Sequence, residues 1–290
     1  MANDDIVSSR QRRRARHRQI GLAPAIALGG LLFVLYAPLA QLVVASVNRN
    51  PLSTGWKGFT WGWFRDAFAN PEVTASLGRS VRLAVVAGIV SVGVGTAVAI
   101  AARRQSWLRA VAQSLAGARV ATPEIIIATA LGVALPVASI RYGFTAMLLG
   151  HVVYLTAYVA LLVGARAAGA DPRQEEAALD LGAKPWQVLW TITLPDLFPA
   201  IASAGLLAAA FSFDDVALSS TLRGPRDTTL PVLIFSKVQR RVTPEIHAIG
   251  ACVLAVGATL FLAATLVNTT LRQPVGTQTH AMTRGDGRSP

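Results

Sequence analysis

Six stretches without a charged side chain alternate with charged segments along the chain. They cover residues 19–48, 83–102, 125–140, 142–165, 197–213 and 246–271. A helix needs about 20 apolar residues to cross a hydrocarbon core about 30 Å thick, so each stretch can span a bilayer, the two shorter ones with a few flanking residues. All are longer than the strands of about ten residues that build membrane barrels. The pattern predicts an all-α, polytopic membrane protein with six transmembrane helices.

The amino-acid composition is that of a protein embedded largely in a lipid bilayer. Of the 290 residues, 53% are hydrophobic and 14% are charged, whereas about 25% are charged in a typical soluble chain. A single cysteine excludes a secreted disulfide scaffold and a cytosolic protein with a cysteine-ligated zinc.

The distribution of basic residues predicts the orientation in the membrane. Six arginines lie between residues 10 and 18, directly before the first span, where retention in the cytoplasm explains them more simply than nucleic-acid binding. The segment 103–119 adds four arginines and no acidic residue and is expected to be a short cytoplasmic loop. We therefore divide the chain into a basic cytoplasmic segment (1–18), a six-span domain (19–271) and a polar, disordered cytoplasmic tail (272–290).

The loop between the fourth and fifth spans, residues 166–196, contains the residue types that start and stop helices. Asp171 can cap a helix with Pro172 in its first turn, and Gly182 suits the left-handed residue that closes it. Pro185 can start a second helix, and Pro195 is expected to mark its transition to the fifth span. Apolar side chains at helical spacing along this second helix indicate a surface for a protein partner: Trp186, Leu189, Trp190 and Thr193.

The same loop resembles the EAA motif of ABC importer permeases. The matching positions are Glu176, Ala177, Ala178, Gly182 with the adjacent Ala183, Ile192, Leu194 and Pro195. The resemblance implies that these residues form the coupling helix, which docks on a separate ATPase subunit and transmits the ATP-driven closure of the ATPase dimer.

A wider resemblance, from the first span to about Leu271, is to the polyamine-type, PotC-like permeases. It rests on the segment 212–251, with its Asp-Asp, Thr-Leu-Pro and Pro-Glu-Ile groups, and on residues 122–125. The resemblance implies the type I, MetI-like importer fold in a bacterial inner membrane. It also implies a second homologous permease, an ATPase dimer that binds the ATP and magnesium, and an extracytoplasmic binding protein, with no cofactor in this chain and no nucleic acid.

The resemblance implies spermidine or putrescine as the solute. The alternatives are a permease for ferric iron, sulfate or phosphonate and, in another class, a non-transporting membrane scaffold. An enzyme is not expected. The three lysines, Lys57, Lys184 and Lys237, do not follow glycine as a P-loop lysine does, and two adjacent aspartates lie about 100° apart around a helix instead of facing each other as in an aspartyl protease.

Three carboxylates are candidates for the solute pathway. Asp214 and Asp215 follow the fifth span, where they are either exposed charges at the end of the span or a pair that faces the pathway. A pair that faces the pathway is stabilised by a passing cation or by a basic partner such as Arg223 or Arg226. Glu124 either belongs to a helix N-terminus made with Thr122 and Pro123 or forms a polar contact at the cytoplasmic gate. His151, inside the fourth span, is expected to bond to a neighbouring helix or to the backbone instead of a metal.

Overall fold

The computed structural model of the chain describes residues 22–50, 55–240 and 243–271, and most of these residues are helical. The long helices are α1 (Leu22–Val47), α3 (Pro71–Arg104), α4 (Ser106–Ala121), α5 (Glu124–Val137), α6 (Phe144–Ala168), α9 (Leu194–Asp214) and α12 (Pro244–Leu271). The shorter helices are α2 (Gly62–Ala69), α7 (Pro172–Asp180), α8 (Pro185–Val188), α10 (Ala217–Leu222) and α11 (Leu230–Arg240). Within these described ranges the only β structure is one bridge between Asn48 and Phe59, so the all-α prediction is confirmed.

Each of the six predicted stretches coincides with a helix. Four helical runs are long and apolar enough to cross a membrane, namely 24–47, 71–103, 144–168 and 185–214. The other two stretches correspond to α5, with 14 residues, and α12, with 28. The predicted segments 1–18 and 272–290 lie outside the described residues.

The segment 103–119, which is expected to be a short cytoplasmic loop, is mostly helical. The structure has the 16-residue helix α4 there, packed against α3 and α6. Ala112 and Gln113 of α4 share a cavity of about 580 Å³ with Leu161 and Gly164 of α6. α4 is followed by α5, and the break between the two helices lies at Thr122 and Pro123. The cytoplasmic position of residues 103–119 stays a prediction.

The fifth span also differs from the prediction, because the helix does not change at Pro195. A π-helical turn, Leu189–Thr193, joins α8 directly to α9, and the run from Pro185 to Asp214 is one helix of 30 residues. The amide of Leu194 bonds to the carbonyl of Leu189. Pro195 lies directly after this wider turn, where its ring is accommodated without a break in the helix.

The chain forms two compact units, and the first consists of the described residues up to Ala67 and from Thr243 onward. Its helices α1 and α12 pack together, with Leu42 of α1 close to Gly250 of α12. Most side chains along α1 are exposed and apolar, which fits contact with lipid. After α1, the side chain of Asn48 accepts the backbone amides of Asn50 and Lys57 and so holds the following loop.

The second unit, residues 68–242, is built around α3, α6 and α9, which pack against one another. Its buried core consists mainly of small and β-branched residues, such as Ala99, Val159 and Ala204. Small residues let helix backbones approach closely in a membrane. At Gly95 a Cβ would lie 2.7 Å from side-chain atoms of Val159, so this crossing of α3 and α6 requires glycine.

Candidate functional site

The loop between α6 and α9 forms the two short helices that its sequence predicts. The carboxylate of Asp171 accepts the amide of Arg173 at 3.0 Å and caps α7. Gly182 closes this helix with φ +86°, and the amide of Ala183 bonds to the carbonyl of Ala178 at 3.0 Å, as in a Schellman motif. The side chain of Gln187 accepts the amide of Lys184 at the start of α8. The predictions for Asp171 and Gly182 are confirmed.

The loop presents large apolar side chains to the surroundings. Leu181 is 90% exposed, and Trp186 and Trp190 are 60% and 66% exposed. Of the motif residues, Glu176 and Ala177 are exposed, as is Gly182. Exposed apolar side chains grouped on one loop are typical of a surface that a partner covers, and they lie among the residues of the EAA pattern.

The base of the loop is fixed by ion pairs to the long helices. Arg103, at the end of α3, donates from Nη1 to Glu175 Oε1 at 2.8 Å, and the hydroxyl of Thr193 donates to the same oxygen at 2.9 Å. Glu175 thus joins α7 to α3 and to the π turn. Beside it, Arg166 of α6 pairs with Asp196 of α9 at 2.5 Å.

A second polar cluster lies within the helices of the second unit. The imidazole of His151 is 1% exposed, with Nδ1 at 2.7 Å from the hydroxyl of Ser212. Its Nε2 lies 3.3 Å from Ser219 Oγ and 3.3 Å from Asp215 Oδ2. The expectation that His151 bonds to neighbouring helices is confirmed.

Asp215 connects this cluster to the start of α10. Its two carboxylate oxygens accept the amides of Leu218 and Ser219 at 3.2 and 2.7 Å, and its side chain is close to that of Glu124. Asp215 therefore fixes the first turn of α10 to the end of α9 and to the imidazole of His151.

The three predicted pathway residues have different surroundings. Asp215 is buried, Glu124 is half-buried and Asp214, the last residue of α9, is exposed. Glu124 lies in the first turn of α5, as expected for a helix N-terminus. Thr122 does not cap this helix, because it directly follows α4 and its hydroxyl donates back to Ala118. That Glu124, Asp214 or Asp215 contacts a solute stays a prediction.

Comparison with known proteins identifies the family. The pattern of the binding-protein-dependent transport system inner membrane component family matches residues 89–273, more than half of the chain. The chain belongs to this family. It is a multi-pass inner-membrane permease. The matched region contains the loop 166–196, which we call the EAA loop, and the polar cluster of His151, Ser212, Asp215 and Ser219.

Relatives of this permease include polyamine transport proteins. The chain is 36% identical over 249 residues to the putrescine transport system permease protein PotI of Escherichia coli K12, covering 82% of this chain and 88% of that protein. It is 35% identical to the spermidine/putrescine permease protein PotC of Haemophilus influenzae, over 80% and 91% of the two chains.

Solved structures of permeases share the fold. The structure of a bacterial ABC transporter that imports the acidic polysaccharide alginate superposes with a TM-score of 0.67 over 87% of this chain and 96% of the other, at 16% identity. An amino acid ABC transporter gives a TM-score of 0.54 over 73% and 100% of the two chains, at 21% identity. The MetI-like permease architecture is confirmed.

Several polar residues of this permease escaped prediction because their partners are distant in sequence. Arg103 and Glu175 are 72 residues apart, and Ser212 and Ser219 are 61 and 68 residues from His151. The chemistry of these residues was the one feature of the sequence that could have indicated the contacts, because a polar side chain at membrane depth needs a partner.

Proposed function

We propose that this permease carries polyamine cations across the membrane as a subunit of an ATP-driven importer. The observation that carries the proposal is the position of Asp215, which is buried beside His151 and close to Glu124, directly after the exposed Asp214 at the end of α9. His151, the neighbour of Asp215, lies 17 residues, or about 25 Å, from the end of α6 that leads to the EAA loop. The names of the PotI and PotC relatives support the choice of solute.

The geometry favours a cationic solute on electrostatic grounds. An ionised carboxylate away from bulk water is destabilised unless a positive charge or hydrogen bonds compensate it. Asp215 is buried and accepts two amides of α10, whereas the side chains of Asp214 and Glu124 are exposed and half-buried, so a solute can reach them. Asp214 and Glu124 are therefore the groups that a passing ammonium would contact, and Asp215 holds α10 in place beside them.

We assign the EAA loop to coupling. Its exposed leucine and tryptophan side chains dock on an ATPase subunit, which binds the ATP and magnesium, and this chain catalyses no reaction. A second permease completes the pathway, and an extracytoplasmic binding protein delivers the solute at the end opposite the EAA loop. Both termini lie in the cytoplasm. The alternating access then follows from rigid-body rocking of the two permeases.

The test is uptake of labelled putrescine by the complete transporter in proteoliposomes at a saturating concentration of loaded binding protein. Glu124→Gln keeps the size of a half-buried side chain, and Asp214→Asn changes an exposed position, so both variants should fold normally. We expect each to slow uptake at least fivefold without changing the putrescine affinity of the binding protein. Asp66→Asn, at an exposed position of α2, is the control and should transport normally.

Normal uptake by the variant that combines Glu124→Gln and Asp214→Asn would refute the assignment of these carboxylates. Transport of sulfate or a phosphonate in place of putrescine would refute the choice of solute. Ferric iron uptake that is lost in the same variants would keep a cation pathway but overturn the polyamine proposal. A membrane scaffold would show no solute uptake by the wild-type complex.

A further inference from the structure

Five arginines gather at the end of the second unit that is remote from the EAA loop. We call them the arginine collar: Arg79, Arg82, Arg141, Arg223 and Arg226. Arg79 and Arg223 both donate to Thr228, the first to its carbonyl at 3.3 Å and the second to its hydroxyl at 3.0 Å.

The remaining members of the collar are placed by the same short segments. The guanidinium of Arg82 lies 4.8 Å from the ring centroid of Phe144, at the start of α6. The amide of Gly143 bonds to the carbonyl of Leu222 at 3.0 Å, and this contact brings the segments that carry Arg141 and Arg226 together. Except for Arg79, which is half-buried, the collar arginines are exposed.

The collar carries a large excess of positive charge. The segments 79–82, 141–143 and 222–229, which form it, contain five arginines and one acidic residue, Asp227. Asp227 is half-buried, and its carboxylate fills the space beside Gly224 and Gly143. The charge that the collar presents to the surroundings is therefore almost entirely positive.

The position of the collar relates it to the pathway. From Arg82 to Arg103, α3 extends over 21 residues, or about 31 Å, so the collar and the base of the EAA loop lie at opposite ends of the unit. Arg223 directly follows α10, the short helix whose first turn is bonded to Asp215. Arg223 is thus separated from Asp215 only by this short helix, at the end of the unit remote from the EAA loop.

A positive collar above a cation pathway repels free polyamine, so the solute must arrive bound to a protein whose own surface the collar attracts. We infer that the collar is the docking surface for an acidic face of the loaded binding protein. This inference rests on the proposed function and adds the charge of the partner surface and the residues that recognise it. Complementary charge of this kind acts mainly on the rate of association and is weakened by salt.

The experiment measures docking of the putrescine-loaded binding protein to the complete transporter in nanodiscs of neutral phosphatidylcholine, at 50 and 300 mM salt as chosen conditions. Arg141→Glu combined with Arg226→Glu reverses two exposed charges. The matched control, Arg141→Lys with Arg226→Lys, keeps both charges. We expect the glutamate variant to associate about tenfold more slowly at low salt, the lysine variant to behave as wild type, and the difference to shrink at high salt.

The outcomes separate this inference from the proposed function. If the wild type docks the binding protein and the glutamate variant docks it equally fast, the collar is not the docking surface. If the charge reversal changes docking only in nanodiscs with anionic phosphatidylglycerol, the collar binds lipid headgroups and the inference is wrong. A wild-type complex that docks the binding protein with the predicted charge dependence but takes up no putrescine supports the collar and refutes the proposed solute.

Discussion

Replacing Glu175 by glutamine tests whether the EAA loop is rigidly attached to the transmembrane helices. Glutamine keeps the size of the side chain but removes the charge that Arg103 pairs with and weakens the bond from Thr193. We expect the loop to detach more often from α3, because Glu175 is the residue that joins α7 to α3 and to the π turn.

The magnitude follows from the surroundings of the ion pair. The side chains of Arg103 and Glu175 are 20% and 22% exposed, so their pair lies between an exposed ion pair, worth about 0.2–1 kcal/mol, and a buried hydrogen bond to a charged group, worth about 1.5–3 kcal/mol. We expect a loss of about 1–2 kcal/mol. Since 1.4 kcal/mol is a factor of about ten in an equilibrium, the detached population of the loop should rise about tenfold.

Hydrogen exchange of the amides in α7 reports this population, because they exchange through local opening. In the complete transporter, Glu175→Gln should speed their exchange about tenfold and lower the number of solute molecules moved per ATP. Glu176→Gln, one residue further along and exposed, is the matched control and should leave the exchange rate unchanged. Equal exchange rates in the Glu175 variant and the wild type would refute the attachment, as would an Arg103–Glu175 double-mutant cycle without coupling energy.

Three further predictions address the loop, the topology and the helix core. Gly182→Leu should insert and fold but lose uptake and ATPase co-purification, because leucine opposes φ +86°; wild-type uptake would contradict the coupling role. After Cys252→Ser, cysteines at residues 10 and 280 should resist impermeant thiol reagents in intact cells while one at the exposed Lys57 reacts, and labelling of either terminus would overturn the orientation. Gly95→Ala should destabilise the protein by about 1–3 kcal/mol through overpacking, measured by thermal unfolding in detergent. Gly93→Ala, with open space around it, should leave the stability within about 0.5 kcal/mol of wild type.

The predictable features of the fold are those set by local chemistry. Asp171 caps α7 and Gly182 adopts a left-handed conformation because these residue types suit such positions wherever they occur. The uncharged stretches coincide with helices for a similar reason, since every span must satisfy its own backbone in lipid.

The features that escaped prediction depend on contacts between distant parts of the chain. α4 carries Arg109 and Gln113, so its charge and polarity indicated a loop, but its alanines pack against α3 and α6. The guanidinium of Arg109 is satisfied by the carbonyls of Ala102 and Arg103 at the end of α3. Only the fold reveals that these acceptors are available, so local sequence did not predict this helix.

The continuous helix from Pro185 to Asp214 connects the two candidate sites. It contains 30 residues, which is about 45 Å of helix, and it begins in the EAA loop and ends beside Asp215. Its one irregular segment, the π turn, includes Thr193, whose hydroxyl bonds to Glu175. In the proposed coupling, a displacement of the loop by an ATPase would act on this helix at the turn where its hydrogen bonding is least regular. Because the rest of the helix packs against α3 and α6, it would then move as one rigid element, together with Asp214 at its end and the adjacent Asp215.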